Sequence, residues 1–201
     1  MDEPSSPTLT LTVLAAVVGV AQALLAVVGV DPWVLALAWP LSDRPWTLVT
    51  SVFAHSSLGH LLSNLIGLVL VGLFLERRTS PIRFYAFFLV SGIGAGLMEV
   101  TIATLVFGQP AAVLGASGAV FALFGYVLSG NRLTEFVAGG ITVGPVVQLV
   151  VLVVLAGGLT LATAGPQTAL IAHFTGLVVG FLAGRRHLLR SSTKASPTRQ
   201  L

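Results

Sequence analysis

Six long apolar stretches constrain this chain more than any other feature of its sequence. A helix that crosses a lipid bilayer needs about 20 mostly apolar residues. The six stretches run from Leu9 to Val30, Leu58 to Leu75, Phe84 to Phe107, Val113 to Leu128, Ile141 to Thr163 and Thr168 to Leu188. Only 8% of the residues are charged, against about 25% in soluble domains, so lipid must cover this apolar surface. The sequence predicts an all-α, polytopic membrane protein of six transmembrane helices, here called spans one to six.

The spans form one membrane domain with a short tail at each end. We expect residues 1–8 to be an N-terminal tail and residues 9–188 to be the six-helix domain. Residues 189–201 are rich in Ser, Thr, Lys, Pro and Arg, which predicts a disordered basic tail. The N-terminus lacks the positive region of a secretory signal, so span one is expected to be retained. The chain has no cysteine, which excludes disulfides and thiolate metal sites.

The positive charges orient the predicted helices. Nine of the ten Lys and Arg residues fall on one side of a six-span topology, and only Arg44 falls on the other. The nine are Arg77, Arg78, Arg83, Arg132, Arg185, Arg186, Arg190, Lys194 and Arg199. Because cytoplasmic loops carry the excess of Lys and Arg, both termini are predicted to be cytoplasmic. The net charge of +3 therefore indicates membrane topology, and we expect no nucleic-acid partner.

Few polar side chains lie within the predicted spans, and such residues are functional candidates by default. The candidates are His60 and Asn64 in span two, Glu99 in span three, Ser117 in span four, Gln148 in span five and His173 in span six, whereas Gln22 in span one is expected to be structural. Spans two, four and six run in the same direction in this topology. Their polar residues all follow closely after the outer end, which predicts one shared cavity open to the extracytoplasmic side.

Small residues surround the predicted site on two spans. Gly115, Ala116 and Gly118 flank Ser117, and Ala172, Gly176, Gly180 and Gly184 form a stripe along span six. Small residues let helices approach closely in lipid, so this stripe could bring His173 beside Ser117. A Ser next to a neutral His is an activated nucleophile. Asn64, His60 and the backbone N–H groups near Ser117 could stabilise an oxyanion.

Three segments of the sequence resemble the rhomboid family of intramembrane serine proteases. His55-Ser-Ser-Leu-Gly-His60-Leu-Leu-Ser-Asn64 is similar to the family's loop His followed by His and Asn at the start of a core helix. Gly115-Ala-Ser117-Gly118 resembles its GxSG box, and Ala172-His173-Phe-Thr-Gly176 resembles its AHxxG box. The end of span two, Glu76-Arg77-Arg78, also looks like the family, and the match runs roughly from Trp46 to Gly184.

The resemblance implies a six-helix rhomboid-like bundle with a two-residue catalytic dyad. Ser117 would be the nucleophile and His173 the general base, with His60, Asn64 and the Ser117 N–H as the oxyanion hole. The substrates implied are single-pass transmembrane proteins, cut near their extracytoplasmic end, with no metal or cofactor. Two positions depart from the family pattern: Thr47 stands where many members have Arg, and Phe121 where many have a Tyr that stacks on the His.

Two other functions compete with proteolysis at the level of sequence. One is a catalytically silent rhomboid-like protein that binds and escorts membrane proteins, although such proteins usually lack the Ser or the His. The other is a small transporter with Glu99 and His173 as a proton path, which leaves Ser117, His60 and Asn64 unexplained. The sequence alone leaves open the roles of Glu99 and His55, and it does not give the oligomeric state.

Overall fold

Helices make up most of the structure, which is a computed structural model describing residues 6–130 and 169–190, together with 150, 154, 157 and 158. The α-helices are α1 (Pro7–Val27), α2 (Thr47–Phe53), α3 (Leu58–Glu76), α4 (Pro81–Thr101), α5 (Ser117–Gly130) and α6 (Leu170–Arg185). A 3-10 helix spans Pro32–Leu35, and a π-helix, Ile102–Val106, continues α4. Two short strands, β1 (Leu37–Ala38) and β2 (Ala112–Val113), pair antiparallel.

Three of the described helices are long and apolar enough to cross a membrane. They are α1, α3 and α4 together with its π-helical continuation to Val106. The helices α5 and α6 are apolar but shorter, and short helices are tolerated in a membrane where their ends meet protein. The described residues are mostly helical, as predicted, apart from the short β1–β2 ladder. Span five, with Gln148, lies almost wholly outside the described residues, as do Arg132 and most of both predicted tails, so the count of six stays a prediction.

The predicted start of span four at Val113 is wrong, because the helix begins at Ser117. Val113 and Ala112 pair with Leu37 and Ala38 in the β1–β2 ladder, so their backbone is extended. Other helix ends move by a few residues for local reasons. For example, α1 and α4 start at Pro7 and Pro81, since Pro is favoured in the first turn of a helix.

Helices α3, α5 and α6 run parallel to one another, as the topology predicts. A Cβ built on Gly67 of α3 would lie 2.9 Å from Val120 of α5, and seven residues earlier His60 adjoins Gly115. Along α5 and α6, Gly118 meets Gly176 and Ser129 meets Gly184. The first turns of all three helices therefore lie at one end of the bundle, called here the Ser117 end.

Helices α1 and α4 run in the opposite direction. Ala95 of α4 packs against Gly118, while the Phe87 ring, two turns earlier, lies 5.9 Å from the Tyr126 ring. Gln22 of α1 is bonded to His55, which lies just before α3, and Ser6 is bonded to Glu76 at the far end of α3. The last turn of α4, which carries Glu99, thus reaches the Ser117 end.

The connection from Asp31 to Ser57 is folded against the bundle. It contains the 3-10 helix, β1 and α2, and its three tryptophans are partly exposed. Through β1 and β2 it is joined to the segment immediately before Ser117. Partly exposed Trp side chains suit the membrane interface, so we expect this connection to lie there.

Candidate active site

Ser117 is the first residue of α5 and follows a tightly fixed turn. Gly115 has φ +129, a conformation that side-chain-bearing residues rarely adopt, and a Cβ there would lie 2.7 Å from the His60 ring. The Gly115 N–H donates to the Ser51 carbonyl at 2.8 Å, and the Ala116 N–H donates to His55 Nε2 at 3.4 Å. The next N–H groups, starting with that of Ser117, have no acceptor within their own helix. They can serve as donors to a bound group.

His55 supports this turn from behind. Its Nδ1 donates to the Phe53 carbonyl at 3.0 Å, which leaves Nε2 to accept from Ala116; these roles are assigned from the hydrogen-bond network. The Gln22 side chain makes two hydrogen bonds to the His55 backbone. Gln22 Oε1 accepts the His55 N–H at 2.8 Å, and Gln22 Nε2 donates to the His55 carbonyl at 3.2 Å. Burial, helped by the nearby charge of His60, lowers the pKa of His55 to about 4. A neutral His55 is what the accepting Nε2 requires, so these contacts favour a structural role.

His173 lies in the first turn of α6 and is only 7% exposed. Its ring stacks on Phe121, with centroids 4.2 Å apart and planes 22° apart. Phe121 follows Ser117 by four residues, so the two share one face of α5. His173 therefore packs on the face of α5 that carries Ser117, one turn away.

The stripe of small residues on α6 packs directly on the α5 backbone. Gly176 lies against the Gly118 carbonyl, Gly180 against that of Ala122, and Gly184 against Ser129 and the Tyr126 carbonyl. A Cβ on any of these three glycines would come closer than 3.0 Å to an α5 atom, a distance that real Cβ atoms essentially never show. The predicted packing is confirmed, and it extends along nearly the whole of α6.

His60 and Asn64 lie one turn apart on α3. His60 Nδ1 is 3.1 Å from Ser56 Oγ, and the other side of its ring adjoins Gly115. Asn64 is 6% exposed, and its Nδ2 donates to the His60 carbonyl at 2.9 Å. An Asn amide has two N–H groups, so this bond uses only one of them. Asn64 shares a helix face with Gly67, which packs on Val120, so it faces the first turns of α5.

Glu99 has a partner that sequence reasoning did not find. Its Oε2 accepts the Ala172 N–H at 2.9 Å. This donor belongs to the first turn of α6, immediately before His173. Spans three and six run antiparallel in the predicted topology. That topology puts Glu99, toward the outer end of span three, near the start of span six, and this was the available signal for the contact.

A small cavity opens beside Ser117, between α2, α4 and the starts of α5 and α6. Its lining is made largely of small residues: Ser51, Gly92, Gly96, Gly115, Ser117, Gly118, Ala169 and Ala172, with Val52, Val113 and Leu114. Within residues 6–130 and 169–190, no three His, Asp or Glu side chains are grouped as a metal ion would need. The chemistry available to these residues is that of the Ser hydroxyl, imidazoles and amide donors.

Comparison with known proteins matches the rhomboid domain to residues 42–190. The chain belongs to the rhomboid family. Rhomboid relatives include the Rhomboid protease GlpG of Serratia proteamaculans, 32% identical over 182 residues, which cover 87% of this chain and 60% of that protein. RHOMBOID-like protein 4 of Arabidopsis thaliana is 34% identical over 149 residues, covering 74% of this chain and 35% of that protein.

This rhomboid chain spans between about one third and three fifths of the length of these curated relatives. The family and the three candidate membrane-crossing helices together make it a multi-pass membrane protein. The matched region contains every residue described above as part of the site except Gln22.

Proposed function

We propose that this protein is a serine endopeptidase that cuts transmembrane proteins within the membrane, near their extracytoplasmic side. Family membership supports proteolysis in general. The observation that carries the specific assignment is the stacking of His173 on Phe121, one turn from Ser117, on a helix pair joined through glycines. This arrangement places the His173 imidazole against the α5 face that carries the Ser117 hydroxyl, and the small cavity adjoins Ser117.

In this proposal Ser117 Oγ attacks the carbonyl carbon of the scissile peptide, and His173 accepts the hydroxyl proton. The tetrahedral intermediate collapses as His173 returns that proton to the leaving amine, which departs and leaves an acyl-enzyme. Water then attacks the ester, again giving its proton to His173, and the carboxylic acid product and the free Ser117 hydroxyl are released. No metal or cofactor takes part.

The oxyanion is stabilised by donors at the start of α5 and on α3. The Ser117 N–H lies at a helix N-terminus, where the helix dipole favours negative charge. Asn64 contributes its second amide N–H. When His60 Nδ1 accepts from the Ser56 hydroxyl, the proton resides on Nε2, on the side of the ring that adjoins Gly115. Among the supporting residues, Gly115 admits the His60 ring, Gly118 admits Ala95 of α4, and Ala116 adds only a methyl group next to Ser117.

The proposed topology has six spans, cytoplasmic termini and a Ser117 end that faces the extracytoplasmic side. Arg77, Arg78 and Arg83 lie at the opposite end of the bundle, as do Arg185 and Arg186. This distribution agrees with the positive-inside rule. Because the chain has no cysteine, single cysteines at Ser42 and Thr79 can test it with an impermeant thiol reagent. Only Ser42→Cys should be labelled from outside, and the reverse result contradicts the topology.

The catalytic assignment is tested by cleavage of a generic transmembrane substrate in detergent. Wild type should cut, and Ser117→Ala and His173→Ala should not. A fluorophosphonate probe should label wild type but not Ser117→Ala. Ser129→Ala is the matched control, since Ser129 lies on the same helix and bonds to the Tyr126 carbonyl at 2.8 Å, far from His173. Cutting that persists in Ser117→Ala refutes the assignment, and a folded wild type that binds substrate without cutting it favours the escort function.

A further inference from the structure

We propose that Glu99 is a positioning residue that holds the first turn of α6, and therefore His173, in register with Ser117. The inference rests on the proposed function. Glu99 lies in the last turn of α4, and its Oε2 accepts the Ala172 N–H at 2.9 Å. Ala172 immediately precedes His173, so the link is made on the turn that carries the imidazole.

Among the described residues, no neighbouring side chain of the same segment caps the start of helix α6. Ala169 occupies the N-cap position, where it offers no side-chain acceptor. The first bond within the helix is that from the His173 N–H to the Ala169 carbonyl, at 3.1 Å. The N–H groups of Leu170, Ile171 and Ala172 precede it and need acceptors from elsewhere. Glu99, on a different helix, supplies the acceptor for the last of these three, the Ala172 N–H.

The glycine contacts explain why such a link would matter for catalysis. Gly176 and Gly180 let α6 lie directly on the α5 backbone, which sets the distance between the two helices. A smooth stripe of glycines has no protruding side chains to resist sliding along the helix axis or rotation about it. The Glu99 carboxyl group bonds to one specific turn and so fixes the axial position. Without it, the first turn of α6 can shift while the glycine contacts remain.

The test compares two substitutions of Glu99 with one substitution on α5 that removes a hydrogen bond near the other end of α6. Glu99→Ala removes the acceptor, whereas Glu99→Gln keeps one carbonyl oxygen at the same reach. The control is Tyr126→Phe, which removes a hydrogen bond from the Leu189 N–H to the Tyr126 hydroxyl, 3.1 Å, just beyond the last turn of α6. For each variant we would measure kcat and KM on a transmembrane substrate, the rate of fluorophosphonate labelling of Ser117, thermal stability, and amide hydrogen exchange across residues 169–176.

We expect Glu99→Ala to lower kcat and the labelling rate of folded protein by about 10- to 100-fold, the cost of misplacing a catalytic group by about 1 Å. KM should change little, and exchange at Ala172 should become faster. Glu99→Gln should restore the labelling rate to within about threefold of wild type, because the acceptor is retained. Tyr126→Phe should lower thermal stability while leaving the labelling rate of folded protein unchanged.

Three results would overturn the inference. If Glu99→Ala loses stability but labels at the wild-type rate, the residue is merely structural. If Glu99→Gln is as impaired as Glu99→Ala, negative charge rather than the acceptor is what matters. If Tyr126→Phe lowers the labelling rate as much as Glu99→Ala does, any weakening of the contacts of α6 slows the reaction. If wild type itself neither labels nor cuts, the proposed function fails, and hydrogen exchange in Glu99→Ala still shows whether Glu99 holds this turn.

Discussion

Replacing Gly176 by Ala adds a single methyl group and should move His173 away from Ser117. In the structure a Cβ at this position would meet the Gly118 carbonyl oxygen well inside 3.0 Å, and it would come within 3.1 Å of the carbonyl carbon and 3.3 Å of the Ala122 nitrogen. All three atoms belong to the α5 backbone, which cannot move aside as a flexible side chain can. Helix α6 must therefore retreat near its first turn, by about 1 Å, to restore ordinary contact distances.

The retreat has two separable consequences. Overpacking of this kind costs about 1–3 kcal/mol of stability. His173 is one turn from Gly176, so the displacement reaches the imidazole, and a shift of about 1 Å can lower the rate about 100-fold. The assay is the rate of fluorophosphonate labelling of Ser117 in detergent, normalised to folded protein, together with the melting temperature of each variant.

Two matched glycine variants separate displacement of His173 from other effects. Gly184→Ala places a Cβ 2.6 Å from the Tyr126 carbonyl at the far end of α6, so it should lower stability with little effect on the labelling rate. Gly94→Ala on α4 places a Cβ in open space and should raise stability by up to about 1 kcal/mol, the difference in helix propensity. If Gly176→Ala labels at the wild-type rate, or if Gly184→Ala slows labelling equally, the reasoning about displacement is wrong.

Three further predictions concern the surroundings of the proposed dyad. Asn64→Ala should lower kcat by about 100- to 1,000-fold with little change in KM, as loss of an oxyanion donor does; a change below about tenfold would mean that backbone donors suffice. Phe121→Leu should lower the rate roughly 2- to 10-fold, the worth of one aromatic contact, while Phe121→Tyr should retain it, and equal rates in all three proteins would exclude a role for stacking. The free energy of unfolding should decrease as the pH is lowered from 6.5 to about 4, because His55 takes up a proton near pH 6.5 in the unfolded chain and only near pH 4 in the folded chain. The contribution is up to about 3 kcal/mol, and a melting profile equally steep in His55→Gln would contradict it.

Much of the fold was predictable because lipid imposes strong rules on sequence. The apolar stretches predict α1, α3 and α4 within a few residues, since only a continuous helix can satisfy its backbone there. The charge distribution and the order of the spans predict that His60, Ser117 and His173 lie at one end. The glycines of α6 predict its close packing, because a regular four-residue spacing of small residues serves little other purpose in a membrane helix.

What escaped prediction depends on contacts between segments distant in sequence. The start of α5 at Ser117 follows from the pairing of Val113 with Leu37, which no local pattern at Val113 reveals. The role of His55 depends on Gln22, 33 residues away, and on the Ala116 N–H. Such bonds form only when three helices have packed together, so the pattern of apolar residues along each helix does not predict them.

The departure at Thr47 illustrates a local solution that replaces a family feature. Thr47 is 1% exposed, and its hydroxyl donates to the Arg44 carbonyl at 2.6 Å, at the start of α2. An Arg side chain at this buried position would need space and a partner for its charge. Arg44 itself reaches the Trp33 carbonyl, at 3.5 Å. Thr47 and Arg44 thus each donate to a main-chain carbonyl within this connection.

Glu76 and Glu99 follow one rule that bears on the choice between functions. Glu76, the last residue of α3, accepts the Thr8 N–H at 3.0 Å and the Ser6 hydroxyl at 2.8 Å, at the first turn of the antiparallel α1. Glu99, in the last turn of α4, does the same for the antiparallel α6. Wherever helices alternate in direction, the end of one meets the start of another, and a carboxyl group there satisfies exposed N–H groups and the positive end of the helix dipole. A carboxyl group engaged in this way is poorly suited to relay protons, because each transfer would cost it the bonds to the helix. The transporter hypothesis thereby loses one of the two residues on which it rests, whereas the protease hypothesis acquires a reason for an acidic group at the turn that carries His173.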